Sequence, residues 1–153
     1  MGTSAALALH QKFLPVEALL GGRKVLQVLP RSTLDWVSLI RHGIPAAALE
    51  SLTRSIQVSQ SELAAALGIP ERTLARRKRE GMLSSDESAK LVRLARVVER
   101  AEEVFEDLDI ALNWLKAPNA ALSGITPLSL LDTEIGAESV TDTLGRIEHG
   151  VFA

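Results

Sequence analysis

From Leu91 onward, apolar residues step along the chain by alternating threes and fours: Leu91, Leu94, Val98, Ala101, Phe105, Leu108, Leu112 and Leu115. That spacing is the period of a helix with one apolar seam. No period-two alternation survives for more than a few residues anywhere in the chain, so packed helices are the expected fold class: all-α. The stripe has two readings. It is a coiled-coil or homodimer seam, or it is the core-facing side of an ordinary amphipathic helix. An unbroken helix from Ser85 to Leu115 would be ~46 Å long at 1.5 Å per residue, which predicts a break near Asp107 to Asp109. Composition agrees with helices: 46% of residues are hydrophobic, aromatics are only 3%, and tyrosine is absent. At 153 residues the chain makes one compact domain or two very small ones.

Capping residues punctuate the rest. Ser32 or Thr33 opens a helix that runs to about Arg41 and closes at Gly43; Pro45 then starts the next, from Ala46 to Ile56. Ser59 and Ser84 each stand three residues before a glutamate, the capping-box pattern. Pro118 and Asn119 end the striped run. Thr126 and Pro127 start a helix from Leu128 to about Asp132, and Gly136 precedes a terminal helix. Near the start, Leu19 to Lys24 reads as a turn between apolar runs, and Gly22-Arg23-Lys24 lacks the spacing of a phosphate loop.

Between the two capping boxes, Gln60 to Gly81 reads as a helix-turn-helix. The first helix stops at Gly68, a residue that accepts the positive φ of a sharp turn. Ala64 and Ala65 let a second helix cross closely, and Leu63, Leu67, Ile69 and Leu74 supply packing. In such a unit the start of the second helix enters the DNA major groove. Arg72, Thr73 and Arg76 share a face there and are placed to reach base edges, since arginine bonds guanine O6 and N7 together. Arg77, Lys78 and Arg79 point to several sides and suit phosphates, as do Ser59 and Gln60 at the start of the first helix. The alternative is a solvated basic face partnered by Glu71 and Glu80. One copy would bind weakly, so a homodimer on two half-sites is expected.

Net charge is −2, but unevenly spread. Residues 1–53 sum to +2, residues 54–100 to +4 and residues 101–153 to −8. A basic middle and an acidic end predict two kinds of partner, or two solvated faces. Without cysteine there is no disulfide, thiolate zinc site or cysteine nucleophile. His10, His42 and His149 show no metal spacing, and no nucleophile motif is present. No enzyme, metal or cofactor is therefore expected. Glu102, Glu103, Glu106, Asp107 and Asp109 read as a solvated acidic face. No run of ~18 apolar residues predicts a membrane span, and no signal peptide is recognisable; a cytoplasmic location is expected.

The last residues pose a separate question. Val140, Leu144, Ile147 and Val151 make one apolar face, while Asp142, Arg146, His149 and Gly150 fall elsewhere and Phe152 stands next to the last residue. Several stretches resemble one family in order. They are Leu39 to Pro45 (L-I-R-H-G-I-P), Leu63 to Lys78 with its E-R-T-L-A-R-R core, Asn113-Trp114-Leu115 with Pro118-Asn119, Gly124 to Leu128 (G-I-T-P-L), and Gly145 to Phe152 (G-R-I-E-H-G-V-F). From about Ser32 to Phe152 the chain resembles the Xre/ParS-type, MbcA-like antitoxins of bacterial toxin–antitoxin operons.

The resemblance implies a helical Xre-like helix-turn-helix and dimerisation part, residues 32–112, that binds the operator DNA of its own operon. It implies a C-terminal part, residues 113–153, that binds a RES-type toxin. Toxins of that kind consume NAD⁺ or transfer ADP-ribose from it, and the antitoxin covers the toxin's NAD⁺ pocket. Residues 1–31 fall outside the resemblance and carry no assigned role. On this view Trp114, Asp142, Gly145, Arg146, His149, Gly150, Val151 and Phe152 face the toxin. Gly145 costs ~1 kcal/mol in a helix, which a closely approaching partner backbone would justify. Arg146 is suited to a nucleotide-phosphate or carboxylate site, and Phe152 to an apolar slot. The acidic C-terminal balance predicts a basic toxin surface. The plainer reading has Val151, Phe152 and Trp114 completing the core, with Arg146 and His149 solvated. The competing function is a stand-alone helix-turn-helix regulator with a C-terminal sensor or protein-interaction domain.

Overall fold

The computed structural model describes residues 14–150, whose regular elements are helices, with two isolated β-bridges, Pro45 to Met82 and Asn119 to Ile125. Nine α-helices follow in order: α1 (Val16–Leu19), α2 (Arg23–Leu26), α3 (Thr33–His42), α4 (Ala47–Ile56), α5 (Gln60–Leu67), α6 (Glu71–Glu80), α7 (Ser85–Phe105), α8 (Leu108–Lys116) and α9 (Glu134–Glu148). Two short 3₁₀ turns, Ala120–Leu122 and Pro127–Leu130, bridge α8 to α9.

The capping signals set most of these boundaries. Ser32, Ser59 and Ser84 each accept the N–H three residues on, and Glu62 and Glu87 reach back to complete both capping boxes. Gly68 ends α5 at φ 68°, and the N–H of Ile69 returns to the Ala64 carbonyl at 3.0 Å, a six-to-one closure that turns the chain sharply into α6.

The striped segment is the axis of the molecule. Helix α7 is packed by α1, α3, α5, α8 and α9. Leu91, Leu94, Val98 and Ala101 are all fully buried, as is Leu115 on α8. The stripe is therefore spent inside one chain, and the coiled-coil alternative is set aside. Its break comes at Glu106, in the left-handed region at φ 57°. Asp107 then caps α8 by accepting the Ile110 N–H at 3.0 Å. A carboxylate that stabilises a new helix start ends the old one at the front of the expected span.

Three other expectations change. Pro127–Leu130 is a 3₁₀ turn, and Thr126 makes no side-chain cap; Thr133 claims the next helix start, leaving too few residues for an α-helix. Gly136 lies inside α9, two residues past its start. A Cβ there would stand 1.9 Å from the Leu130 carbonyl oxygen, so glycine is what lets the 3₁₀ turn lie against the helix. In the helix-turn-helix, Ala64 and Ala66 are the buried pair, while Ala65 faces outward.

The N-terminal segment that sequence left without a role contributes to the core. Leu19 and Leu20 are fully buried. Burying each such leucine is worth about 1.5–3 kcal/mol. Helix α1 has no side-chain cap of its own because Pro15 stands at the cap position. Its start is held from α7: Glu99 accepts the Val16 N–H at 2.9 Å, and both Glu102 carboxylate oxygens accept the N–H of Leu14, just ahead of the helix, the nearer at 2.6 Å. Glu102 is 1% exposed, so it is not part of a solvated acidic face. Burial pushes both carboxyl groups above their ordinary range, against the lowering effect of these N–H groups.

Candidate functional site

Two surfaces gather the residues singled out by sequence. The first is the outer side of α6. Leu74 is fully buried and anchors the opposite side of the helix on the core. Arg72, Arg76 and Arg79 are all exposed and recur four and three residues apart, so they lie on one face pointing away from Leu74. Arg79, grouped by sequence with the phosphate contacts, thus shares the face of Arg72 and Arg76. Thr73 is half-buried at the edge of that face. Arg76 is also within 3.6 Å of Glu80, an exposed and easily exchanged pair.

Three neighbours are engaged within the chain. Arg77 donates to Glu87 at 2.8 Å and to Glu80 at 2.9 Å, with its side chain only 24% exposed. These bonds raise its already high pKa and tie the end of α6 to the start of α7. Glu87 is mostly buried, which pushes its carboxyl up. The Ser84 N–H and hydroxyl and the Arg77 guanidinium outweigh burial and hold it below the ordinary carboxylate range. Arg77 is therefore a strut of the helix-turn-helix, not one of its free cations. Lys78 donates to the Gln60 side-chain oxygen, linking α5 and α6 across the turn. The Ser59 hydroxyl is used by its capping box. The exposed cations of the unit are then Arg72, Arg76, Lys78 and Arg79, an anion-seeking surface suited to a phosphate backbone.

The second surface is the outward side of α9. Val140 and Leu144 are fully buried toward the core, and Ile147 is half-buried. Asp142, Arg146, His149 and Gly150 are exposed. Arg146 has no ion-pair partner among the described residues. Among the described residues Gly145 sits in open space: a Cβ added to it would meet none of them within 4 Å. None of the described residues therefore requires a glycine there. Val151 and Phe152 lie outside the described residues. Trp114 is half-buried and rests on Phe105, ring centroids 5.6 Å apart and tilted by 44°, which makes it first a packing residue.

One feature of this surface had no signal in the local sequence. Arg100 of α7 grips Glu148 in a two-pronged bond, 2.7 and 3.0 Å, and so fixes the last turn of α9 against α7. The pair is 48 residues apart, so no helical spacing connects it. Arg100 also lowers the Glu148 carboxyl pKa.

A groove of about 610 Å³ runs between α3, α7 and α9. Arg93, Arg96, Arg100, Glu103, Glu138 and Asp142 are among its lining residues. Its charges are of both signs, unlike the apolar pocket with a few convergent polar groups that binds small molecules. No group of three or more His, Cys, Asp or Glu gathers to hold a metal among the described residues. None of the described helices is long and apolar enough to cross a membrane.

Comparison with known proteins divides the chain along these two surfaces. Residues 35–96 match the family model of the antitoxin Xre-like helix-turn-helix domain. Residues 100–150 match that of the antitoxin Xre/MbcA/ParS C-terminal toxin-binding domain. The two matches meet within α7, so one helix serves both parts. An Antitoxin Xre of Yersinia enterocolitica is 36% identical over 119 residues, covering 76% of this chain and 80% of that protein. A protein of Sphingobium sp. named Prs ADP-ribosylating antitoxin is 28% identical over 132 residues, 80% of this chain and 83% of its own. Among solved structures, a chain of the M. tuberculosis MbcT–MbcA toxin–antitoxin complex superposes with a TM-score of 0.53 at 20% identity. It covers 71% of this chain and 96% of that one, a likeness of fold.

Proposed function

The chain belongs to the Xre/MbcA/ParS family of antitoxins, with a helix-turn-helix and a toxin-binding domain, and from that premise we propose how each surface is used. The outward side of α9, with Asp142, Gly145, Arg146, His149 and Gly150, lies over the active site of a RES-type toxin. That toxin consumes NAD⁺ or transfers ADP-ribose, and the antitoxin denies it the NAD⁺ pocket. The observation that carries this reading is the combination at Gly145 and Arg146: among the described residues, a helical glycine that no packing contact requires, beside an exposed arginine with no ion-pair partner. Arginine presents a rigid fork of donors that matches phosphate or carboxylate, the groups an NAD⁺ site is built around or built to hold. Residues 101–153 carry ten acidic against two basic groups, which favours a basic cleft as partner. Val151 and Phe152, which follow α9 in the sequence, are assigned to the same toxin contact.

The α6 face acts separately. Arg72, Thr73 and Arg76 read base edges of the operator, and Lys78 and Arg79 with the Ser59–Gln60 corner hold phosphates. A homodimer aligns two such faces on half-sites and represses the operon. The protein works by binding and has no catalytic centre of its own.

Co-expression with the toxin encoded beside it tests the division. Full-length chain is expected to restore growth and co-purify with toxin. A chain stopped before Gly145 is expected to lose both while still shifting operator DNA. Equal rescue by the two would place neutralisation elsewhere. A neighbour with no toxicity would favour a stand-alone regulator.

A further inference from the structure

Ile135 is 78% exposed in the first turn of α9. An isoleucine gains nothing from that position in the isolated chain, and a β-branched residue is a weaker helix former than the Glu or Lys that would serve there. A scattered exposed apolar residue is ordinary; the register of this one is not. Ile135, Ser139, Asp142, Arg146 and His149 recur by four, three, four and three, so they form one continuous exposed stripe along the helix. The opposite side, with Ala137, Val140 and Leu144, is buried against α7.

We propose that Ile135 is an apolar anchor for the partner toxin, seated in a hydrophobic depression on the toxin surface away from its active site. The inference rests on the reading of α9 as the inhibitory element. Three observations select the toxin as occupant. The stripe lies within the residues that match a toxin-binding domain, 100–150. It is continuous with the Asp142–Arg146 surface on the same rigid helix. With Ala137, Val140 and Leu144 buried on the other side, the stripe stands on a part of α9 that faces away from the core.

The helix sets the distance. Ile135 and Arg146 are eleven residues apart, so they are separated by roughly 16 Å along the axis. An arginine over the NAD⁺ site and an isoleucine 16 Å from it do different work. Arg146 excludes the nucleotide; Ile135 sets affinity and partner choice, in the way of a central apolar hot spot.

The test compares Ile135→Glu, Ile135→Ala and Ile135→Leu with Arg146→Ala. Binding to catalytically inactive toxin is measured by calorimetry, and inhibition of NAD⁺ consumption is measured with active toxin. Thermal melts of the free antitoxins check folding, which a change at so exposed a site leaves intact. Ile135→Glu is expected to weaken binding at least tenfold, Ile135→Ala less, and Ile135→Leu little. At saturating concentration all three still inhibit completely. Wild-type affinity for Ile135→Glu and Ile135→Ala, with Arg146→Ala weakened, overturns the anchor and leaves the α9 reading standing. Incomplete inhibition by saturating Ile135→Glu also overturns it, because the residue would then belong to the occluding part. Wild-type affinity and inhibition for every variant overturns the α9 reading itself.

Discussion

Replacing Gly145 by alanine separates what the antitoxin needs from what its partner needs. Gly145 lies in the last turn of α9, at ordinary helical φ, with none of the described residues within 4 Å of the position a Cβ would take. Glycine in a helix interior is about 0.5–1 kcal/mol less favourable than alanine, chiefly through backbone entropy. With no clash to offset that gain, the variant is expected to be more stable by about 0.5–1 kcal/mol. For a chain of this size that raises Tm by about 1–4 °C. The toxin is expected to read the same change with the opposite sign. If its backbone rests on the bare Cα, an added methyl forces a shift that costs about 1–3 kcal/mol, or roughly 5- to 150-fold in Kd. Scanning calorimetry of the free protein and titration calorimetry with inactive toxin measure the two effects separately. A more stable variant that binds toxin as tightly as wild type would refute the close backbone approach. A less stable variant would refute the open helical environment from which the argument starts.

Further outcomes follow from other contacts. Arg100→Ala removes the two-pronged hold on Glu148; faster amide exchange in the last turn of α9 and weaker toxin binding are expected, with operator binding unchanged. Glu87→Gln is expected to lower stability at neutral pH. The folded Glu87 pKa is depressed, so its contribution is present above the ordinary carboxylate range and is lost as pH falls through the folded value. Urea unfolding of both proteins should differ at pH 7 and converge in acid. Glu102 behaves inversely: its raised folded pKa makes the protonated form the more stabilising one, so its contribution declines as pH rises through that value. In Glu102→Gln that part of the pH slope should vanish from unfolding curves, while the amide oxygen still accepts the Leu14 N–H. On operator DNA, Arg72→Ala should cost about 1–3 kcal/mol and relax sequence preference, whereas Lys78→Ala should weaken all sequences alike and flatten the salt dependence by about one charge.

The parts of this fold that sequence made legible are those governed by neighbours in the chain. Two S-x-x-E boxes start α5 and α7 and the glycines at 68 and 81 end α5 and α6; α5 and α6 formed at the residues read for them. The apolar stripe was equally clear, but period alone cannot distinguish a seam between chains from a core within one; burial by five surrounding helices decides it. What sequence left hidden depends on distant partners. Arg77 looked like any other cation of a basic helix until Glu87, ten residues on, was brought against it. Glu102 sat among exposed acids but is drawn inside by the uncapped start of α1. Gly136 reads as preceding the terminal helix because the reason for a glycine inside it, the Leu130 carbonyl, comes from a turn packed across it. On α9, sequence singled out Arg146 and Gly145 and passed over Ile135, whose exposure shows only once the buried side of the helix is known.

The central claim is that α9 closes the toxin's NAD⁺ pocket. It is tested most directly by measuring NAD⁺ binding to catalytically inactive toxin, alone and with one equivalent of antitoxin. Occlusion predicts that NAD⁺ binding disappears with wild-type antitoxin and returns when Arg146→Ala, held at a concentration that keeps the complex formed, replaces it. NAD⁺ bound with undiminished affinity in the wild-type complex would contradict the claim.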